Sequence, residues 1–188
     1  ASDFVEKEVM PRWKEYEKQE PGLSMELLGT AGGLGLLSTA IPETYGGMNQ
    51  DVITGCIIAE EFGRTGSFAT TAICHIGIGT LPILYFGNEA QKQKFLPKLA
   101  TGEWAASYCL TEPSSGSDAL GAKTIATLSE DGKEWILNGQ KMWITNAGFA
   151  HSFTVFAKID GKEFTAFLVE KGTPGLNLGA EEDKMGIK

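Results

Sequence analysis

The sequence predicts an α+β protein. A helical bundle domain over residues 1–103 is followed by an antiparallel β-barrel or sandwich domain over residues 104–188. Three observations carry this expectation. Through the first hundred positions apolar residues recur with the period of an amphipathic helix. At Trp104 that pattern gives way to strand-like alternation, which persists with hairpin punctuation. Helices and strands are thus segregated along the chain, which favours α+β packing over a doubly wound parallel sheet.

Taken in order, Phe4, Val5, Val9, Trp13 and Tyr16 form a first helical stripe, which Pro11 should kink or shorten because it lacks an N–H. Leu27, Leu28, Ala31, Leu34 and Leu37 form a second, loosened by Gly29, Gly32 and Gly33. After a loop at Pro42–Gly47, residues 51–62 read as a helix buried on several sides. Residues 66–86 are apolar almost throughout and rich in small side chains, as expected of a helix that other groups approach closely. Asn88 is a good N-cap for a helix over 89–100, and Gly102 a plausible stop. The predicted strands are 104–111, 122–129, 133–138, 152–159 and 163–170. Hairpin turns are expected at Asp131-Gly132, Asn138-Gly139 and Asp160-Gly161.

Bulk properties narrow the function. With 42% hydrophobic and 21% charged residues, the chain has the composition of a soluble globular protein. A formal charge of −8 argues against nucleic acid and anionic membrane surfaces as ligands. No apolar run is expected to reach the ~20 residues of a membrane span. Cys56, Cys74 and Cys109 lie in apolar stretches without ligand spacing and read as reduced core thiols. The first residues are acidic and amphipathic, unlike a signal or transit peptide, and read as a cut into an existing helix. An intracellular location is expected: bacterial cytoplasm, with the mitochondrial matrix as the alternative. His75, in an apolar helix, reads as a satisfied core residue, and His151 as exposed. Neither has partners at metal-ligand spacing, so no metal is expected.

The segment Tyr108–Gly121 is the most informative. An apolar strand breaks at Pro113 into small hydroxyl-bearing residues around Gly116, a turn that exposes backbone N–H groups and hydroxyls in one concave patch. Chemistry alone leaves open an ordinary polar loop after a strand. The order Cys109, Leu110, Thr111, Glu112, Ser115, Gly116, Ser117, Asp118, Gly121 is more specific: it resembles the acyl-CoA dehydrogenase signature at every constrained position. Asn138–Asn146, with Lys141-Met142-Trp143-Ile144-Thr145-Asn146, is similar to the second flavin-contacting stretch of that family. Pro42–Gly47, Gly87–Lys92 and Lys184–Ile187 resemble further family landmarks.

The resemblance implies FAD-dependent α,β-dehydrogenation of a fatty acyl-CoA thioester, in which a base removes the α-proton while the flavin accepts the β-hydrogen. It implies that Tyr108, Leu110 and Thr111 line the flavin edge and that Gly116 lets the backbone approach the cofactor pyrophosphate. Ser117 would bond a phosphate or the CoA arm. Trp143 would cover the flavin, Ile144 would flank it, and Thr145 would meet its N5 edge, with Trp143 and Thr145 placed on a second strand. Read as residues alone, the ordinary alternatives are Trp143 as core, Thr145 as a β-former and Gly116 as a turn glycine. Glu112 and Asp118 are expected to anchor the loop rather than act as base, and Lys141 to be a solvated or structural charge. The family's base belongs to a further helical region with no counterpart here, so no catalytic residue is assigned. Other expectations are an acyl-CoA substrate, an electron-transfer flavoprotein as acceptor, and a homodimer or homotetramer for the full-length protein. The alternatives are a non-catalytic flavin- or CoA-binding module, or a flavin oxidase or monooxygenase on the same fold.

Overall fold

The computed structural model describes residues 1–187. Helical turns run from residue 2 to residue 17. Here α1 (Ser2–Phe4) passes through a π-turn at Val5–Val9 and a 3-10 turn at Met10–Arg12 into α2 (Trp13–Glu17). The 3-10 turn sits at Pro11, where the missing N–H cannot continue an α ladder. Helices α3 (Leu23–Gly33), α4 (Val52–Phe62), α5 (Ser67–Cys74), α6 (Leu81–Phe86) and α7 (Glu89–Ala100) follow.

Phe4, Tyr16, Phe62 and Phe68 form the aromatic centre of the helical part, with ring centroids 5.6–5.9 Å apart. Such tilted and edge-on pairs add to the area that the rings bury. Leu23, Leu27, Leu28 and Ala31 of α3 complete this core. A full capping box opens α7: the Asn88 side chain accepts from Gln91 N–H, and the Gln91 side chain accepts from Asn88 N–H. Its far end lies against α3 so closely that a Cβ on Gly32 would fall 2.0 Å from the Thr101 carbonyl oxygen. Gly102, at φ +72, terminates the stretch.

Two expectations about the helices are corrected. Only Ile58 and Phe62 of α4 are buried, while Val52, Ile53 and Ile57 are 57–82% exposed. A continuous apolar pattern cannot tell a helix enclosed by protein from one with an uncovered face. The stretch Ser67–Phe86 reaches 20 residues, long and apolar enough by length and composition to cross a membrane. More than half of it is buried inside the protein, where a π-turn at His75–Gly79 packs on the sheet, so it serves as a core helix. Leu84 is buried there, Leu81 packs on the same cluster, and Tyr85 and Phe86 face solvent.

Among the described residues the strands are β1 (Ala106–Cys109), β2 (Ile125–Leu128), β3 (Trp135–Asn138), β4 (Ser152–Ile159) and β5 (Glu163–Glu170). Helices followed by a sheet are as expected, but the sheet is mixed rather than antiparallel. β4 pairs in parallel with β1 at Ala106↔Ser152 and with β2 at Ile125↔Lys158. It pairs antiparallel with β5 along its whole length. Turn signals reveal hairpins, and the two among the described residues are β2–β3 and β4–β5, the latter through Asp160 (φ 48) and Gly161 (φ 76). Parallel pairs need long crossovers, which carry no local signal. Asn138-Gly139 is not a hairpin. Gly139 is required there by close approach, because a Cβ would meet the Thr124 side chain at 2.3 Å.

Candidate functional site

β1 delivers Leu110 and Thr111 to the polar loop, and one buried carboxylate holds that loop. Glu112, 5% exposed, accepts from the backbone N–H groups of Lys123 and Thr124, from the Thr124 hydroxyl and from Lys141 Nζ at 2.7 Å. Burial alone would raise its pKa. The ammonium and the three further donors outweigh that and hold the carboxyl at about 2. Asp118 accepts from Gly121 N–H. Both acids therefore anchor backbone, as the sequence suggests. Lys141 is a structural charge, its side chain only 11% exposed.

The second segment departs from expectation. β3 ends at Asn138, so Trp143 and Thr145 lie on no strand; they occupy a bend and the turn after it. Trp143 adopts φ +56 and Asn146 φ +69. A left-handed backbone is tolerable for Asn but costly for a bulky residue such as Trp, and strain of this kind clusters at binding sites. Tertiary hydrogen bonds impose the turn. Asn146 Nδ2 donates to Thr71 O (3.0 Å) and Ala106 O (3.2 Å), Ser107 Oγ donates to Thr145 O (2.9 Å), and Met142 N–H donates to Thr111 O (2.9 Å). The consecutive aromatic and β-branched residues Trp143, Ile144 and Thr145 imitate a strand, but among the described residues none of them joins the sheet.

These bonds bring the two segments together. Tyr108, Leu110, Thr111, Trp143, Ile144 and Thr145 line one cavity of about 150 Å³. Cys74 and Ile78 close it from the helical side. Neither was singled out as a site residue, although they lie one turn apart in the small-residue stretch that other groups were expected to approach. Gly116 and Ser117 lie outside this lining, exposed on the loop beyond it. A Cβ on Gly116 would meet nothing within 4 Å, so no contact within the chain requires glycine there. A broader groove of about 1930 Å³ runs between the helices, the sheet and residues 173–187, and shares Trp143, Ile144 and Thr145 with the small cavity.

The cavity combines flat apolar surface with neutral donors. Trp143 is 70% exposed at its mouth, and the Tyr108 ring packs on Phe156 with centroids 4.9 Å apart. The Thr145 hydroxyl bonds the Cys74 thiol, whose pKa burial raises. The Thr111 hydroxyl has no hydrogen-bond partner among the described residues. Burial raises the Tyr108 phenol and pushes the Cys109 thiol up to about 12, so both stay protonated at neutral pH. Among the described residues no carboxylate lines the cavity and no metal-binding cluster exists. The arrangement suits the edge of a planar heteroaromatic ring carrying acceptor atoms. It offers no base.

The two histidines are structural. His75 is fully buried; its Nδ1 accepts from Ala106 N–H (3.2 Å), so Nε2 carries the proton and donates to Leu99 O (3.0 Å). Burial lowers its pKa to about 4. His151 is half-buried rather than exposed, stacked on Trp104 with Nδ1 accepting from Ala105 N–H. Of the expected core thiols, Cys109 is buried, Cys74 half-buried and Cys56 exposed.

Comparison with known proteins matches residues 1–103 to the acyl-CoA dehydrogenase N-terminal domain and residues 107–188 to the acyl-CoA dehydrogenase middle domain. A probable acyl-CoA dehydrogenase of Bacillus subtilis (strain 168) is 53% identical over all of this chain, which covers 32% of that protein. An acyl-CoA dehydrogenase of Bacillus anthracis, solved in complex with FAD, superposes with TM-score 0.97 at 54% identity over 99% of this chain and 32% of its own. A chain in a structure of the electron transferring flavoprotein of Acidaminococcus fermentans superposes with TM-score 0.90 at 36% identity, over 98% of this chain and 49% of its own. The chain therefore spans 32–49% of the length of these relatives.

Proposed function

The chain belongs to the acyl-CoA dehydrogenase family, and on that premise we propose that it forms the flavin-facing part of an FAD-dependent enzyme that α,β-dehydrogenates fatty acyl-CoA thioesters. The observation that carries the reading is the convergence of two segments, separated in sequence, on one cavity of neutral donors and flat apolar walls. FAD, when bound, supplies the two-electron acceptor for the hydrogen that leaves the β-carbon. This chain's residues bind and orient it. The Thr111 hydroxyl, and the Thr145 hydroxyl when it accepts from the protonated Cys74 thiol, would donate to acceptor atoms on the ring edge and so favour negative charge there. Trp143 shields a ring face, while Leu110, Ile144 and Ile78 keep water out. Gly116 and Ser117 serve the phosphate or pantetheine part of a ligand that reaches along the loop. Glu112 is committed to four hydrogen bonds, so the α-proton is taken by a base from outside these residues.

An electron-transfer flavoprotein as acceptor fits the likeness to the Acidaminococcus chain. The uncovered apolar face of α4 fits assembly with further protein, whether another subunit or more of the same chain. Three unpaired thiols fit a reducing cytoplasm.

The test is an FAD titration of the intact protein, followed by flavin fluorescence and then by bleaching with acyl-CoA. Saturable binding, weakened by Thr145→Ala, and acyl-CoA-dependent bleaching are expected. Folded protein that takes up FAD but is never reduced by any acyl-CoA would sink the reaction. Failure to bind FAD would sink the site.

A further inference from the structure

Behind the cavity, two consecutive residues of one segment grip three consecutive residues of the other. Lys141 Nζ donates to Leu110 O (3.1 Å) and to Glu112 Oε1 (2.7 Å), and between them Met142 N–H donates to Thr111 O (2.9 Å). Leu110 and Thr111 are cavity residues, and Trp143 begins the opposite wall immediately after Met142. The grip is buried: the Lys141 and Glu112 side chains are 11% and 3% exposed. Glu112 is fixed in turn by the Lys123 N–H on Oε2 and by the Thr124 N–H and hydroxyl on Oε1, the oxygen that also takes the lysine.

From this we propose that Lys141 is a positioning residue, which sets the spacing and register of the two walls of the flavin cavity without touching the ligand. The inference rests on the flavin reading above. A lysine is suited to the task because one ammonium can donate to a carbonyl and a carboxylate at once. Its burial beside an ionised partner removes the competition from water that weakens such pairs at surfaces. The positive φ of Trp143 follows directly after the grip, so a loosened Lys141 frees the strained residue to relax and the wall to shift.

The test compares Lys141→Met, Lys141→Arg and Thr124→Val in the intact protein. FAD affinity, thermal stability and hydrogen exchange at the Met142 amide are read in each. Lys141→Met should weaken FAD about tenfold or more, because a small displacement of positioned groups is costly. It should also speed exchange at Met142 while leaving β4 and β5 amides protected. Lys141→Arg should restore part of both. Thr124→Val removes one donor from the same carboxylate but leaves the Lys141–Leu110 and Met142–Thr111 bonds, so it should lower thermal stability while weakening FAD less than Lys141→Met does; a purely structural role for the cluster would weaken binding equally in both. Unchanged FAD affinity in Lys141→Met, or equal weakening in Thr124→Val, would overturn the proposal. If the wild-type protein binds no FAD, the flavin reading fails separately, and Met142 exchange alone decides: unchanged protection in Lys141→Met refutes the grip.

Discussion

His75 ties the helical part to the sheet, and its titration offers a quantitative check on that tie. The ring bridges Leu99 O at the end of α7 and Ala106 N–H at the start of β1, with no exposed surface. Protonation would put a second N–H against the Ala106 donor and a charge into a buried site. The folded pKa is lowered from 6.5 to about 4, which at 1.36 kcal/mol per unit amounts to about 3 kcal/mol. The unfolded chain binds the proton first as pH falls. The contribution is therefore complete above pH 6.5, declines between 6.5 and 4, and is gone below 4. Urea unfolding should be followed across pH 7.5 to 4 for the wild type and for His75→Leu. The variant orphans two backbone groups and should lose about 2–4 kcal/mol at pH 7. The two curves should converge towards pH 4. His151, its pKa also lowered by burial and by Lys171, contributes a slope to both proteins and cancels in the difference. Glu112, held at about 2, loses its contribution only below its unfolded value of 4.5, outside most of this window. A stability difference constant from pH 7.5 to 4 would refute the reasoning, because it would mean that His75 contributes packing but no protonation-linked energy.

Two further outcomes test packing and exposure. Gly32→Ala should destabilise by about 3 kcal/mol because its Cβ runs into the Thr101 backbone, whereas Gly29→Ala, in open space on the same helix, should gain up to about 1 kcal/mol; thermal melts with the same sign for both would contradict this packing. A thiol reagent in native buffer should modify Cys56 first, Cys74 slowly and Cys109 only on unfolding, and fast labelling that survives Cys56→Ser would contradict the assigned exposures.

Local chemistry made much of this protein legible. The Asn88 cap, the Gly102 stop and the Asp160-Gly161 turn are decided within a few residues, so the sequence places them within a residue or two. β4 and β5 fall on the predicted ranges because both runs are rich in aromatic and β-branched residues and the Asp160-Gly161 turn separates them. The anchoring by Asp118 was also readable, since a short acid beside free backbone N–H groups has few other uses; Glu112 was expected to anchor the loop too, although its backbone partners lie 11 and 12 residues on.

What the sequence could not decide depends on partners distant along the chain. β4 lies parallel to β1 and β2 because long crossovers return it there, and no turn residue records such a return. Lys141 looked like any charge until folding set it over Leu110 and Glu112. Trp143 and Thr145 looked like a strand until Asn146, bonding to Thr71 and Ala106, bent the segment into a turn and aimed them at Tyr108 and Thr111. The sequence by itself determined the family, the order of helices and strands, and most residues of the cavity. Only the tertiary structure decided how those residues meet, because contacts across the chain outweigh the local preferences of the residues that make them.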